Sequence, residues 1–231
     1  MDYNINQVNG KTLKLNLNDD LQKHFDNPTN YAPTIINQIN NDEFYKRFFV
    51  GKKDLVVLDI GANIGLFSLH VYPACKHIIA FEPTPSHYQK LEYLTSGTNV
   101  ELRQKALSNT EGTTKFFLAA PNSTMNSLVQ HYGNESLEVP CTTLSSILEQ
   151  EQLDHVDFCK IDIEGSEMIA ITHEEIAKVA DKIARFYVEV HHTASINGND
   201  LTKNKPILTG IFEDNGYKIE DIDYQTFCAV R

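Results

Sequence analysis

Val56-Val57-Leu58-Asp59-Ile60-Gly61-Ala62-Asn63-Ile64-Gly65 joins an apolar run to an acid and a glycine-containing bend. Leu55 to Ile60 are almost continuously apolar, which predicts a strand buried on both faces, because a half-exposed strand would alternate. Gly61 and Gly65 supply a turn that can take dihedrals closed to other residues and let a ligand approach bare backbone. Ile64, Leu66, Phe67, Leu69 and His70 then continue at helical spacing. The unit is strand, turn, helix, with the turn at the carboxyl end of the strand, where ligands sit in open α/β sheets.

The chemistry of the turn narrows the ligand. A dinucleotide fold favours G-x-G-x-x-G with a pyrophosphate on the helix N-terminus. Here the spacing is G-x-x-x-G, and Asp59 stands two positions before the first glycine. A carboxylate there repels phosphate but suits a ligand carrying an ammonium and a sulfonium, as S-adenosyl-L-methionine (SAM) does. The plainer alternative is that the glycines only close a tight turn and Asp59 caps the helix. The next strand, His77 to Phe81, ends in Glu82-Pro83, with Glu82 roughly 20 residues after Asp59. An acid at that place binds the two hydroxyls of a ribose, so Glu82 points to a nucleoside without choosing between SAM and NAD.

Asp59-Ile60-Gly61-Ala62-Asn63-Ile64-Gly65, Phe81-Glu82-Pro83 and Lys160-Ile161-Asp162-Ile163-Glu164-Gly165-Ser166-Glu167 together resemble the FkbM-type family of SAM-dependent methyltransferases, over roughly residues 50 to 190. The resemblance implies a Rossmann-like α/β fold with a mostly parallel seven-stranded sheet, helices on both faces and an antiparallel strand near the C-terminus. It implies SAM as cofactor, held by Asp59, Gly61, Ala62, Asn63, Gly65, Glu82, Pro83 and Asp162. Ala106 and Leu107, in the loop that passes the adenine in that family, are further candidates, and read equally well as core. It also implies O-methylation of a hydroxyl on a sugar or other small acceptor. Residues 1–50 read as an N-terminal extension and 51–231 as the methyltransferase domain.

Composition sets outer bounds. The 231 residues suffice for one α/β domain with an extension, and 41% hydrophobic content is ordinary for a folded chain. A formal net charge of −11 argues against a nucleic-acid partner or an anionic membrane surface. Cys75, Cys141, Cys159 and Cys228 are scattered without a C-x-x-C pair and read as reduced thiols rather than a metal site. The first residues lack a signal-peptide pattern, and no apolar run has the length of a membrane span, so a cytoplasmic protein is expected.

Along the chain, residues 1 to 18 predict a hairpin turning at Asn9-Gly10, with Leu13, Leu15 and Leu17 alternating. Residues 19–41 read as short helices and loops, with Tyr31-Ala32-Pro33 a partial match to an aromatic turn near the cofactor. Asp42 to Phe49 predict a helix covering the first strand. A helix opens at Thr84-Pro85 and stops at Gly97. Strands follow at 99–104, 113–118 and 136–141. Pro121 to Gly133, with Ser123, Thr124, Asn126, Ser127 and His131, reads as a lid or an acceptor-binding loop, or else as an ordinary exposed loop. Thr142 or Thr143 caps a helix to about Gln152, and strands follow at 156–161 and 185–190. A helix over 206–215 precedes a closing β pair at 217–222 and 226–230.

Methyl transfer from a sulfonium is an in-line displacement, and alignment alone can supply roughly 7–11 kcal/mol. A hydroxyl is a weak nucleophile, so a base adds on the order of 10² to 10⁴. Glu164, Glu189 and His191 are the candidates, from neighbouring strand ends; His191 titrates near neutrality and reads equally well as structural, while His192 points the other way. The spacing does not demand a metal, and none is expected. Glu167 reads as a complement to its helix dipole. Gly61→Val is expected to block cofactor entry yet leave the fold intact. An NAD(P)-dependent oxidoreductase and a non-catalytic nucleoside-binding protein are the alternatives.

Overall fold

In the computed structural model, which describes residues 3–26, 32–119, 126–129, 135–191 and 203–231, the chain opens with two short antiparallel strands, β1 (Asn4–Asn6) and β2 (Thr12–Lys14). The connection spans residues 7–11 rather than two, with Gly10 at φ +81°. Helices α1 (Asp19–Asp26), α2 (Ala32–Asn41) and α3 (Glu43–Phe49) follow. Asp42 caps α3 by accepting from the Tyr45 amide at 2.8 Å. Tyr31 and the Asn27-Pro28 turn lie outside the described residues, as do most of 121–133 and His192.

The remaining elements alternate: β3 (Leu55–Ile60), α4 (Leu66–Val71), β4 (Cys75–Phe81), α5 (Pro85–Thr95) and β5 (Val100–Arg103). Next come β6 (Ala106–Leu107), β7 (Gly112–Leu118), β8 (Glu135–Thr142), α6 (Leu144–Gln150) and β9 (Phe158–Ile161). The chain ends with α7 (Glu167–Ala170), α8 (His173–Val179), β10 (Arg185–Glu189), α9 (Asn204–Asp214), β11 (Lys218–Asp221) and β12 (Thr226–Val230). Seven strands form one sheet in the order β11-β12-β10-β9-β3-β4-β5. Its pairings are parallel except where β12 runs antiparallel to β10 and β11. A separate three-stranded sheet has the order β6-β8-β7. Ala106 and Leu107 therefore belong to a strand rather than a loop, pairing parallel with Cys141 and Thr142. Two residues are too few for a periodic signal, which is why the sequence alone shows a connection there.

The sheet is buried on both faces, and β3 shows why its run is continuous. Leu58 and Ile60 join Ile79, Phe81, Ile161 and Phe186 under α6, α8 and α9. Leu55 and Val57 pack with Ile78, Phe158 and Tyr187 under α4 and the N-terminal elements. Each fully buried side chain of this size contributes about 1.5–3 kcal/mol. Phe44, Tyr45 and Phe49 of α3 close over Phe158 and Phe67, as an aromatic cover on the central strands. All four cysteines are free and buried. No described helix is long and apolar enough to cross a membrane.

Parallel pairing sets the geometry of the site. Ile60 stands opposite both Phe81 and Ile161, and Ile161 opposite Val188. The carboxyl ends of β3, β4, β9 and β10 therefore reach one edge of the sheet together.

Candidate active site

The turn after β3 holds Gly61 at φ +82° and Gly65 at φ +87°, and between them Asn63 at φ +53°. The Gly61 and Ala62 amides donate to the Phe81 carbonyl at 3.0 and 2.9 Å, tying the turn to β4. The glycines make room for protein rather than for ligand. A Cβ on Gly61 would lie 1.8 Å from the Asp162 carbonyl oxygen, and one on Gly65 would lie 2.5 Å from Leu91 Cδ1 of α5. The expectation that Gly61→Val leaves a sound fold is therefore overturned, because the tip of β9 fills that space.

Asp59 is wholly buried, and the N-cap position of α4 belongs to Gly65; the Asp59 Oδ2 accepts from the Ser68 hydroxyl in the first turn of α4 at 2.6 Å. Its Oδ1 is buried without a hydrogen-bond partner among the described residues. Burial pushes its carboxyl up, and the charge of Lys160 opposes the shift. Glu82 stands just past β4, its Oε2 accepting from the Asn63 amide at 3.0 Å and its Oε1 from the Thr84 amide at 2.8 Å. Burial raises it to about 7, against those two amides. Both oxygens are fixed in place with a lone pair each to spare, the arrangement needed to accept from a vicinal diol.

A second cluster forms where β9 and β10 end. Lys160 donates to Asp162 Oδ2 at 2.7 Å. Burial would raise Asp162, but Lys160 and His191 hold it below its ordinary value. Glu164, at φ +55°, brings its Oε2 to 3.5 Å from His191 Nε2. Burial pushes Glu164 up, and the charges of Asp162, Glu167 and Glu189 add to that. The charge of Asp162 and then burial raise Glu189. Glu167 is wholly buried, and its Oε1 accepts from the amides of Ile163 and Gly165, each at 3.2 Å, and from His191 Nδ1 at 3.0 Å. It therefore folds the Ile163–Gly165 loop and aims the imidazole, which is more than a helix-dipole role. Burial disfavours charged His191, but the bond to Glu167 and the nearby acids outweigh it and hold His191 protonated through neutrality. A base titrating near neutrality is thus not what the fold makes of His191 in this state.

One cavity of about 540 Å³ joins the two clusters. Of the residues expected to bind or act, Asp59, Gly61, Ala62, Asn63, Glu82, Pro83, Ala106, Leu107, Asp162, Glu164 and Glu189 line it. Gly65 instead packs on α5, and His191 contacts the carboxylates from outside the lining. Asn126 and Leu128, from the segment read as a lid or loop, also reach the cavity, and Asn126 bonds the Ala119 amide at 3.0 Å. Sequence reasoning missed Lys160, Glu167 and the wall built by Thr34, Gln38, Asn41 and Tyr45. Lys160 carried a signal: a lysine inside an apolar strand, two residues before an acid on the same side.

The chain is similar in sequence to known methyltransferases. The methyltransferase FkbM domain matches residues 59–219. The methyltransferase sdnD of Sordaria araneosa is 29% identical over 205 residues, covering 71% of this chain and 73% of that protein. A SAM-dependent methyltransferase from Aquifex aeolicus aligns over 93% of this chain and 97% of its own, at 11% identity and a TM-score of 0.47. The Methanococcus jannaschii fibrillarin pre-rRNA processing protein aligns over 78% and 67%, at 15% identity and a TM-score of 0.49. A mostly parallel seven-stranded sheet with one antiparallel strand, carrying an acid near the end of β3 and another just past β4, is a Rossmann-like methyltransferase that takes its methyl group from SAM. Within that class the chain belongs to the methyltransferase FkbM family. The oxidoreductase and non-catalytic readings fall with that membership.

Proposed function

We propose that this enzyme methylates a hydroxyl oxygen of a small polyhydroxylated acceptor such as a sugar. The observation that carries the reading is the single cavity that runs from Glu82 to Glu164 and Glu189. Its volume falls in the usual range for small-molecule sites, about 300–1,000 Å³. The residues at the first end fit SAM. Glu82 is assigned the ribose hydroxyls, Ala106, Leu107 and Pro83 the adenine, and the turn 61–63 the backbone contacts. The orphaned Asp59 Oδ1 and the acid Asp162 are assigned the positive charge of the cofactor. Bound there, the cofactor supplies an electrophilic methyl group.

The other end is assigned to the acceptor. Thr34, Gln38 and Asn41 of α2 offer neutral hydrogen-bonding groups, and Tyr45 and Tyr187 offer aromatic faces. Asp42 and Asp223 add negative charge, which disfavours anionic acceptors such as nucleic acid. Glu164 and Glu189 are the bases: their raised affinities bring them into the range where a carboxylate takes a hydroxyl proton near neutral pH. His191 positions them. Residues 1–50 are read as an extension that supplies the acceptor wall to the domain at 51–231, in a cytoplasmic enzyme.

The test is transfer from methyl-labelled SAM to a panel of sugars, polyols, phenols, amines and RNA, with the site of the label found by mass spectrometry. Label on an oxygen of a hydroxylated small molecule is expected. Label confined to amines or to RNA overturns the proposal.

A further inference from the structure

Resting on that reading of the acceptor end, the geometry points to a divalent cation site made by Asp162, Glu164 and His191. One ligand atom from each, all within 4.8 Å of one another, can converge on a common point. His191 Nε2 stands 3.5 Å from Glu164 Oε2 and 3.8 Å from Asp162 Oδ1. Ligands about 2.1 Å from an octahedral ion sit about 3 Å apart when adjacent and about 4.2 Å apart when opposite. The two separations on His191 Nε2 fall between those values, so a small inward movement of the side chains brings the three groups to coordination spacing. Glu189 Oε1, 3.9 Å from the same nitrogen, is a fourth group within reach.

The supporting shell is also built. A carboxylate can only accept, so the bond to Glu167 Oε1 keeps a proton on His191 Nδ1 and turns Nε2 toward the acids, where a bound ion would replace the second proton of the imidazolium. A buried carboxylate that holds the far nitrogen of a ligating histidine fixes the ring's orientation, as is common in metal sites. Asp162 is prepared in the same way. Lys160 occupies its Oδ2, leaving Oδ1 on the His191 side.

A second observation points to a missing positive charge. Four carboxylates, Asp162, Glu164, Glu167 and Glu189, lie within 4 Å of one imidazole. Glu167 Oε2 is buried without a partner among the described residues, although the whole residue has no exposed surface. Oxygen-rich ligation with one nitrogen suits Mn²⁺ or Mg²⁺ better than a thiolate-seeking ion. Asp162 and Glu164 line the cavity, so an ion on them faces the acceptor, and with the ion bound Asp59 is left to the positive charge of the cofactor and Glu189 to the part of base. A hydroxyl in its open position would lose its proton more readily than in water, with Glu189 beside it to take that proton. The sequence spacing alone did not demand this ion; the fold brings β9 and β10 together to make its site.

The experiment measures Mn²⁺ binding to the chelator-treated full chain, without cofactor, by loss of the free-ion electron paramagnetic resonance signal. S-adenosylhomocysteine binding is measured separately by calorimetry. One saturable Mn²⁺ per chain is expected. His191→Ala and Glu164→Gln are each expected to weaken it at least about tenfold while circular dichroism and S-adenosylhomocysteine affinity hold. Absence of saturable Mn²⁺ up to millimolar concentration overturns the site, as does undiminished binding in both variants. Competition between Mn²⁺ and S-adenosylhomocysteine for one place overturns it too. Loss of S-adenosylhomocysteine binding by the wild-type chain would instead count against the cofactor assignment. Methyl transfer to a hydroxyl that survives chelation removes the ion and leaves the acceptor class standing.

Discussion

Replacing Gly61 with alanine separates two reasons for a glycine. At φ +82° any other residue is strained, and the left-handed conformation costs about 1–2 kcal/mol. The new Cβ would also lie 1.8 Å from the Asp162 carbonyl oxygen, and that neighbour is backbone and cannot rotate away. Either the turn or the tip of β9 must shift, and overpacking of this kind typically costs another 1–3 kcal/mol. The sum, about 2–5 kcal/mol, corresponds to a fall of roughly 4–20 °C in the unfolding midpoint for a chain of this size. Gly216→Ala is the control. Gly216 has φ +85° but nothing within 4 Å of its would-be Cβ, so only the conformational cost applies, roughly 2–8 °C. Thermal unfolding followed by circular dichroism, without ligand, compares the two. A Gly61→Ala midpoint no lower than that of Gly216→Ala would refute the claim that β3 and β9 meet through the missing side chain.

On the proposed assignment to the ribose hydroxyls, the Glu82 carboxyl, raised to about 7 by burial, must be ionised to accept from both. S-adenosylhomocysteine affinity should therefore weaken by roughly tenfold per pH unit below that value and level off above it. Calorimetry from pH 5.5 to 8.5 should show the slope in the wild type and its loss in Glu82→Gln. The same raised value has the opposite sign for the unliganded fold, since ionising a buried acid is unfavourable. Stability is then lost as pH climbs from about 4.5 to about 7, by up to ~3 kcal/mol, and chemical denaturation of Glu82→Gln should show a flatter profile over that window. The Tyr217 hydroxyl donates to the Ile183 carbonyl at 2.7 Å in a buried setting away from the cavity. Tyr217→Phe should destabilise by about 1–2 kcal/mol in urea and leave S-adenosylhomocysteine affinity unchanged.

What was legible in the sequence was local. The apolar run 55–60, the two glycines, and the acids at 59, 82 and 162 carry their own periodicity and spacing, and the sheet places them at one edge. What was not legible depends on contacts across the chain. Nothing near Gly61 tells that a carbonyl about a hundred residues later fills its side-chain space. Glu167 reads as a helix-start acid until β10 brings His191 against it. Thr34, Gln38 and Asn41 carry no periodic signal that distinguishes a cavity wall from a surface helix, because their role comes from where α2 docks rather than from its pattern. His191 shows the limit of residue type as a guide. Its free titration suits a base, but the four carboxylates around it hold it protonated and take that role away.

A crystal structure of the chain with S-adenosylhomocysteine bears most directly on the role assigned to the strand ends. The ribose hydroxyls are expected on Glu82, the adenine beside Ala106 and Leu107, and the sulfur turned toward Glu164 and Glu189. A cofactor bound outside this cavity, or lying in it with its sulfur turned away from Glu164 and Glu189, would contradict that role.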